Sequence, residues 1–206
     1  MFGFYTRRNS LQRFDRRRIP LLVLAAVVIP LLIFSKPCWS EEIKQLIQVL
    51  GFLLLAVCVA GRVWCSSFIA GRKIDQIVAT GPYALSRHPS YLFSTIGAAG
   101  VGASFGMISF AVVASLGVGF ILHRRAVEEE RWMAGSHEKA YRAYQSRFPH
   151  FFPHSKGILR GMIFGDVRPP LRTFVDSAFF FLTIPCALLF PFFQMAAGIT
   201  HFLYLP

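Results

Sequence analysis

Long apolar runs constrain this chain more than any other feature. Residues 19–39, 45–70, 91–104, 107–122 and 174–197 are dominated by Leu, Ile, Val, Phe, Ala and Gly. Such runs fit helices that cross a bilayer, where about 20 residues at 1.5 Å each span the hydrocarbon. The runs 91–104 and 107–122 are each short for a span. They read as a tight helical hairpin turning at Phe105-Gly106. Gly97, Ala98, Ala99, Gly100, Gly102 and Ala103 give that hairpin a surface on which helices pack closely. Pro30, Pro185 and Pro191 are expected to bend the first and last spans. Hydrophobic residues make up 54% of the 206 residues and charged ones only 16%, with a mean hydropathy of +0.51. The expected fold is all-α: a polytopic integral membrane protein of about five transmembrane helices.

The formal net charge is +12. In a soluble domain that excess would point to nucleic acid. Here the basic residues flank apolar runs, so anionic lipid headgroups account for them and nucleic acid is not an expected partner. Nearly all of the 22 Lys and Arg residues fall in three regions. These are the six arginines before residue 19, the segment 71–89 and the segment 123–173. Five spans put all three on one side, which places the amino terminus in the cytoplasm. The basic start also suits a cleaved signal peptide, but Lys36-Pro37-Cys38-Trp39 is a poor cleavage context and a signal anchor is favoured. The chain then divides into a basic amino-terminal segment (1–18), two spans (19–70), a polar-motif core with the hairpin (71–153), and a connector with the last span (154–206). A compact, basic, five-span chain fits a bacterial inner membrane. The four cysteines show no CxxC spacing, so neither a disulfide framework nor a metal site is expected.

One polar stretch interrupts this pattern. Gly81-Pro82-Tyr83-Ala84-Leu85-Ser86-Arg87-His88-Pro89-Ser90-Tyr91 stands at the mouth of an apolar helix. Proline in a first helical turn suits a helix start, and the free N–H groups of that turn attract anions. Taken alone, the stretch reads better as a structural cap with interfacial aromatics than as a binding site. A second cluster, Arg124-Arg125-Ala126-Val127-Glu128-Glu129-Glu130, leaves the fourth span on the same side. A hairpin makes the two clusters neighbours, so Arg87, His88 and Tyr91 face Arg125, Glu129 and Glu130. Arg125 and Glu129 share a helix face. Tyr141, Tyr144, Phe148, Phe151 and Phe152 are expected to roof the resulting polar pocket. Arg62 lies inside the second span, about 13 Å from its end at 1.5 Å per residue. An intramembrane arginine is a functional candidate. It is assigned here to substrate binding, and either pairs with a buried acid or carbonyl or snorkels to the cytoplasmic surface.

In order along the chain stand Arg62-x-Trp64, Ile77-Val78-x-x-Gly81-Pro82-Tyr83, Arg87-His88-Pro89-Ser90-Tyr91, Glu129-Glu130-x-x-Met133, Tyr141-x-x-Tyr144 and Phe148-Pro149-x-x-x-Pro153. This series resembles the isoprenylcysteine carboxyl methyltransferase family and, more distantly, the membrane phospholipid N-methyltransferases. The resemblance covers about half the chain. It implies an S-adenosylmethionine-dependent methyltransferase with a cofactor pocket at the cytoplasmic face. By the same resemblance, Tyr83, His88, Pro89, Ser90 and Tyr91 line the cofactor site, and Asp75, Gln76, Ile77 and Val78 border it. Glu129, with Glu130 beside it, holds the cofactor, and Arg125 positions an acidic group of the substrate. A sulfonium cofactor with hydroxyl donors wants a carboxylate, and an anionic acceptor wants a guanidinium fork. An amine acceptor needs its proton removed, which His88 or Glu130 is placed to do. The expected acceptor is lipid-like or amphiphilic, and membrane lipids are the expected partners. Two other classes fit less well: a sterol-reductase-like enzyme with a nicotinamide cofactor, and a non-catalytic scaffold.

Three positions depart from the family pattern. Phe93 stands where glycine is common and is expected to narrow the cofactor or lipid entrance. His137-Glu138 replaces Phe-Gly. His150 replaces an arginine after the later proline.

Overall fold

The structure is a computed structural model. It describes residues 34–69, 79–136, 138–151 and 203–205, with positions 20, 23, 26 and 189 between them. Most of the first and last expected spans, the Asp75–Val78 border and Phe152 lie outside the described residues; the end of the first expected span is described, and there Ser35–Pro37 is strand rather than helix.

Helix α1 runs over Glu41–Ile69, 29 residues, or about 43 Å. Glu41 and Glu42 stand in its first turn, where carboxylates oppose the positive helix end. Its two long faces differ in role. Ile47, Gly51, Leu55, Cys58 and Val59 are buried, whereas Leu46, Val49, Leu50, Leu53 and Val57 are exposed. An apolar stripe turned outward along a whole helix suits a lipid-facing surface.

Helix α2, Pro89–Ser104, has 16 residues, or about 24 Å. Its buried positions include Gly97, Ala98, Gly100, Gly102 and Ala103. These are the small residues expected to allow close packing, and both neighbouring helices use them. A Cβ on Gly100 would sit 3.0 Å from the Gly51 carbonyl oxygen, and one on Gly102 would collide with the Ala111 backbone. Gly106 ends the helix with a φ of +79°. Its N–H donates to the Ala103 carbonyl at 2.8 Å, the left-handed close that glycine adopts without a Cβ penalty.

Helix α3, Ile108–Ser136, has 29 residues. Val112, Val113, Leu116 and Phe120 are exposed and apolar on its first half, and Arg124, Glu128 and Arg131 are exposed on its second. The helix is thus apolar on its outer surface in the first half and charged in the second. Helix α4, Glu138–Arg147, follows and stops before Pro149. Among the described residues, α1 and α3 are long and apolar enough to cross a membrane.

One element departs from the all-α expectation. Strand β1, Ser35–Pro37, pairs in parallel with β2, Leu203–Leu205, in the register Ser35↔Leu203, Lys36↔Tyr204, Pro37↔Leu205. Three-residue strands carry no alternating pattern to read. Only the folded chain brings the partners together.

Candidate functional site

The Gly81–Pro89 stretch folds first on itself. Gly81 has a φ of +60° and opens a 3-10 turn, Gly81–Ala84. The Phe68 side chain of α1 occupies the space a Cβ on Gly81 would fill. Ser86 is fully inside, where its Oγ accepts from His88 N–H at 3.3 Å and donates to the His150 carbonyl at 3.1 Å. Arg87 N–H donates to the Pro149 carbonyl at 2.9 Å. His88 is the amino-terminal cap of α2, with Pro89 next, where the missing N–H removes no helical bond.

Tail residues close over this loop. Tyr141 and Tyr144 of α4 are 2% and 8% exposed. Tyr144 donates its hydroxyl to the Tyr83 carbonyl at 3.0 Å. Tyr144→Phe is expected to cost about 1 kcal/mol of stability, read from the unfolding midpoint in detergent, because it leaves that carbonyl without its donor. Burial raises the Tyr83 and Tyr144 phenols well above their ordinary range. Burial, with the Glu130 carboxylate adding to it, lifts Tyr141 to about 12. All three phenols stay protonated and act as hydrogen-bond groups.

The two polar clusters meet as the hairpin requires, but the paired glutamates separate. Successive helical residues point about 100° apart. Glu129 accepts from the Tyr91 hydroxyl at 2.6 Å, and its side chain stays 39% exposed. Glu130 turns inward and is 12% exposed. Three nitrogens converge on its Oε1: Arg87 Nη1 at 2.9 Å, His88 Nε2 at 3.1 Å and His150 Nδ1 at 2.8 Å. A carboxylate only accepts, so both imidazoles carry a proton on the nitrogen that faces it. Burial lowers the His88 pKa against the opposing pull of Glu130, with His150 and Arg87 pushing the same way as burial. His88 is therefore neutral near pH 7.

The ring of His88 stacks on Tyr91 at 5.5 Å and 7° and meets His150 edge-on at 5.3 Å. His123 meets His150 at 5.2 Å, and Phe151 lies 4.9 Å from His150. Arg125, one turn before Glu129, is half-buried.

Sequence reasoning passed over His150, noting it only as a missing arginine. Its signal was the residue type itself: an imidazole placed after a proline beside a family motif. Arg62 reaches across to α2. Its Nη1 donates to the Ser94 hydroxyl of α2 at 2.6 Å, and Ser94 passes the bond on to the Ser90 carbonyl at 2.8 Å. Phe93 packs its ring on Gly61 of α1, where a Cβ would collide with it. The large residue on α2 is thus matched by a missing side chain on α1.

Residues 43–135 match the model of the isoprenylcysteine carboxyl methyltransferase (ICMT) family. The chain is 36% identical over 134 residues to the cobalt-zinc-cadmium resistance protein CzcN of Cupriavidus metallidurans, covering 64% of this chain and 61% of that one. It is 30% identical over 132 residues to the nickel-cobalt-cadmium resistance protein NccN of Alcaligenes xylosoxydans xylosoxydans, covering 64% and 62%. The match thus spans about three-fifths of each relative's length. No solved structure matches. The matched segment takes in nearly all of α1, then the polar loop, α2 and the Glu129-Glu130 pair, and over that segment the chain is similar to the isoprenylcysteine carboxyl methyltransferase family.

Proposed function

We propose that this protein is a membrane-embedded S-adenosylmethionine-dependent methyltransferase acting on a lipid-like or amphiphilic acceptor. One observation carries the reading within the family frame. Tyr91 and Glu129, from two different helices, are bonded at 2.6 Å while Glu129 keeps an exposed carboxylate edge. A cofactor with a cationic sulfonium, an ammonium and ribose hydroxyls fits a carboxylate that is oriented but still open. When bound, S-adenosylmethionine supplies an electrophilic methyl group. Glu129 holds the cofactor, Tyr91 fixes the Glu129 rotamer, and the stacked His88 ring walls the site against water. Pro89, Ser90, Tyr83 and the 75–78 segment complete the cofactor side. Arg125 is assigned to the acidic group of an acceptor. The Arg62–Ser94 bond sits one turn deeper and supports a role for Arg62 at the apolar end of the acceptor.

A second reading, an amine acceptor as in phospholipid N-methylation, is favoured by His88. With Nε2–H committed to Glu130, Nδ1 is the basic nitrogen of a neutral imidazole, 4.0 Å from Glu129 Oε2. It is placed to take a proton from an ammonium.

The topology proposed is five spans with the amino terminus in the cytoplasm of a bacterial inner membrane. The parallel pairing of β1 with β2 supports it, because strands on one face require an even number of crossings between them. The names of the two relatives suggest a setting: methylation within a cell's resistance to cobalt, zinc, cadmium or nickel.

Calorimetry of S-adenosylmethionine with purified protein in nanodiscs tests the core of this reading. Saturable binding in the micromolar-to-millimolar range, on the order of usual KM values, is expected. Glu129→Gln is expected to weaken it about tenfold or more, since a charge-assisted contact contributes about 1.5–3 kcal/mol. Absence of binding by folded protein overturns the assignment.

A further inference from the structure

We propose that His88, Glu130 and His150 form a binding site for one divalent borderline metal ion, zinc or cobalt being the best matches. The proposal does not depend on methyl transfer. The three residues come from three separate elements: the cap of α2, the second half of α3, and the tail after α4. Each offers one ligand atom, and the three atoms lie within 4.8 Å of one another. In a tetrahedral zinc site with bonds of about 2.0–2.1 Å, neighbouring ligand atoms sit about 3.3 Å apart. Here His88 Nε2 and His150 Nδ1 lie 3.1 and 2.8 Å from Glu130 Oε1. Seating the ion opens the two Glu130 distances by a few tenths of an ångström and draws the two ring nitrogens, which lie within 4.8 Å of each other, to a similar separation.

The donor chemistry agrees with the spacing. Two imidazoles and one carboxylate, with a fourth position left over, are the ligand set of open zinc sites rather than closed structural ones. Imidazole also suits cobalt's neighbours in the first transition row. Around the ligands stands a partial outer shell. His88 Nδ1 faces the Glu129 carboxylate at 4.0 Å, the carboxylate–histidine arrangement that orients a ligating ring.

A second observation points the same way. His150 Nε2 is buried and has no hydrogen-bond partner. The ring is therefore held in place by Glu130 through Nδ1 and by ring contacts with His88, His123 and Phe151. A half-buried ring whose polar contact converges with a second imidazole on a single carboxylate oxygen is arranged as a ligand is. Arg87 competes for the same oxygen at 2.9 Å. Its guanidinium carries the compensating charge when the metal is absent and must yield as the ion enters. Metal binding thereby staples the tail to the loop and to α3, which closes the roof over the neighbouring Tyr91–Glu129 pair.

The test is a titration of the full chain in nanodiscs with Zn²⁺ or Co²⁺ alone, without S-adenosylmethionine. One ion per chain is expected, and Co²⁺ is expected to give the intense visible bands of a four-coordinate site. His150→Ala is expected to lose more than the 10–100-fold typical of outer-shell changes. His123→Ala, which removes a neighbouring ring but no ligand, is expected to bind as the parent does. Arg87→Gln is expected to bind more tightly. Zinc X-ray absorption on the unsubstituted protein reads the ligands without any variant, and two imidazole nitrogens are expected. Absence of stoichiometric binding, equal affinity in His150→Ala, or an absorption spectrum lacking two imidazoles overturns the site. S-adenosylmethionine binding is measured on separate samples, so either idea fails without the other.

Discussion

Replacing Glu130 with alanine is expected to destabilise the protein by about 3–5 kcal/mol, the usual cost of leaving a buried charge without its partner. The size follows from burial. Arg87 and Glu130 are only 11% and 12% exposed, so water does not take over the role of the lost carboxylate, as it does at a surface pair worth about 0–1 kcal/mol. The same change leaves the Nε2–H of His88 and the Nδ1–H of His150 unanswered. Arg87→Leu combined with Glu130→Leu is expected to lose much less than Glu130→Ala, because no uncompensated charge remains. Unfolding in detergent with a chelator present measures both. A Glu130→Ala variant within about 1 kcal/mol of the parent would sink this account of the pair.

Gly51→Ala is the second large effect. Alanine is the better helix former by about 1 kcal/mol, so propensity alone predicts stabilisation. The structure predicts the opposite sign. A Cβ on Gly51 lies 2.7 Å from the Ala103 carbonyl carbon and 2.9 Å from the Ser104 Cα. These are backbone atoms, and no rotamer change moves them away. The helices α1 and α2 must separate, at an overpacking cost of about 1–3 kcal/mol. Gly135→Ala is the internal control. Nothing lies within 4 Å of a Cβ there, so that variant is expected to be neutral or slightly stabilised. Equal midpoints for the two variants would mean that the α1–α2 contact is looser than described.

These effects also mark where the sequence was legible. The apolar runs gave α1, the α2–α3 hairpin and its turn at Gly106, because a membrane admits few backbone arrangements and the hydropathy pattern states them directly. The meeting of Arg87, His88 and Tyr91 with Glu129 and Glu130 followed from hairpin geometry alone. Tyr141 and Tyr144 fell on one buried face because they are three residues apart on a helix.

Other features resisted for physical reasons. Glu129 and Glu130 are identical in type and adjacent, so only the rotation of α3 against α2 decides which faces Tyr91 and which faces Arg87. Gly61 has no meaning by itself, since its missing side chain is informative only against the Phe93 ring on another helix. His150 looked like a defect in a motif until its ring was found on the Glu130 oxygen. Asp75, Gln76, Ile77 and Val78, together with most of the outer spans, lie outside the described residues.

The β1–β2 pair carries a consequence for how the chain assembles. Its strands join residues about 165 positions apart. Closing so long a loop in a flexible chain costs several kcal/mol of entropy (about 1.5 RT ln n), far more than a three-residue ladder returns. The pair is therefore a late event. It forms once α1, α2 and α3 have already brought the flanking backbone close, and it cannot nucleate the fold. Its hydrogen bonds record that the rest of the chain has arrived.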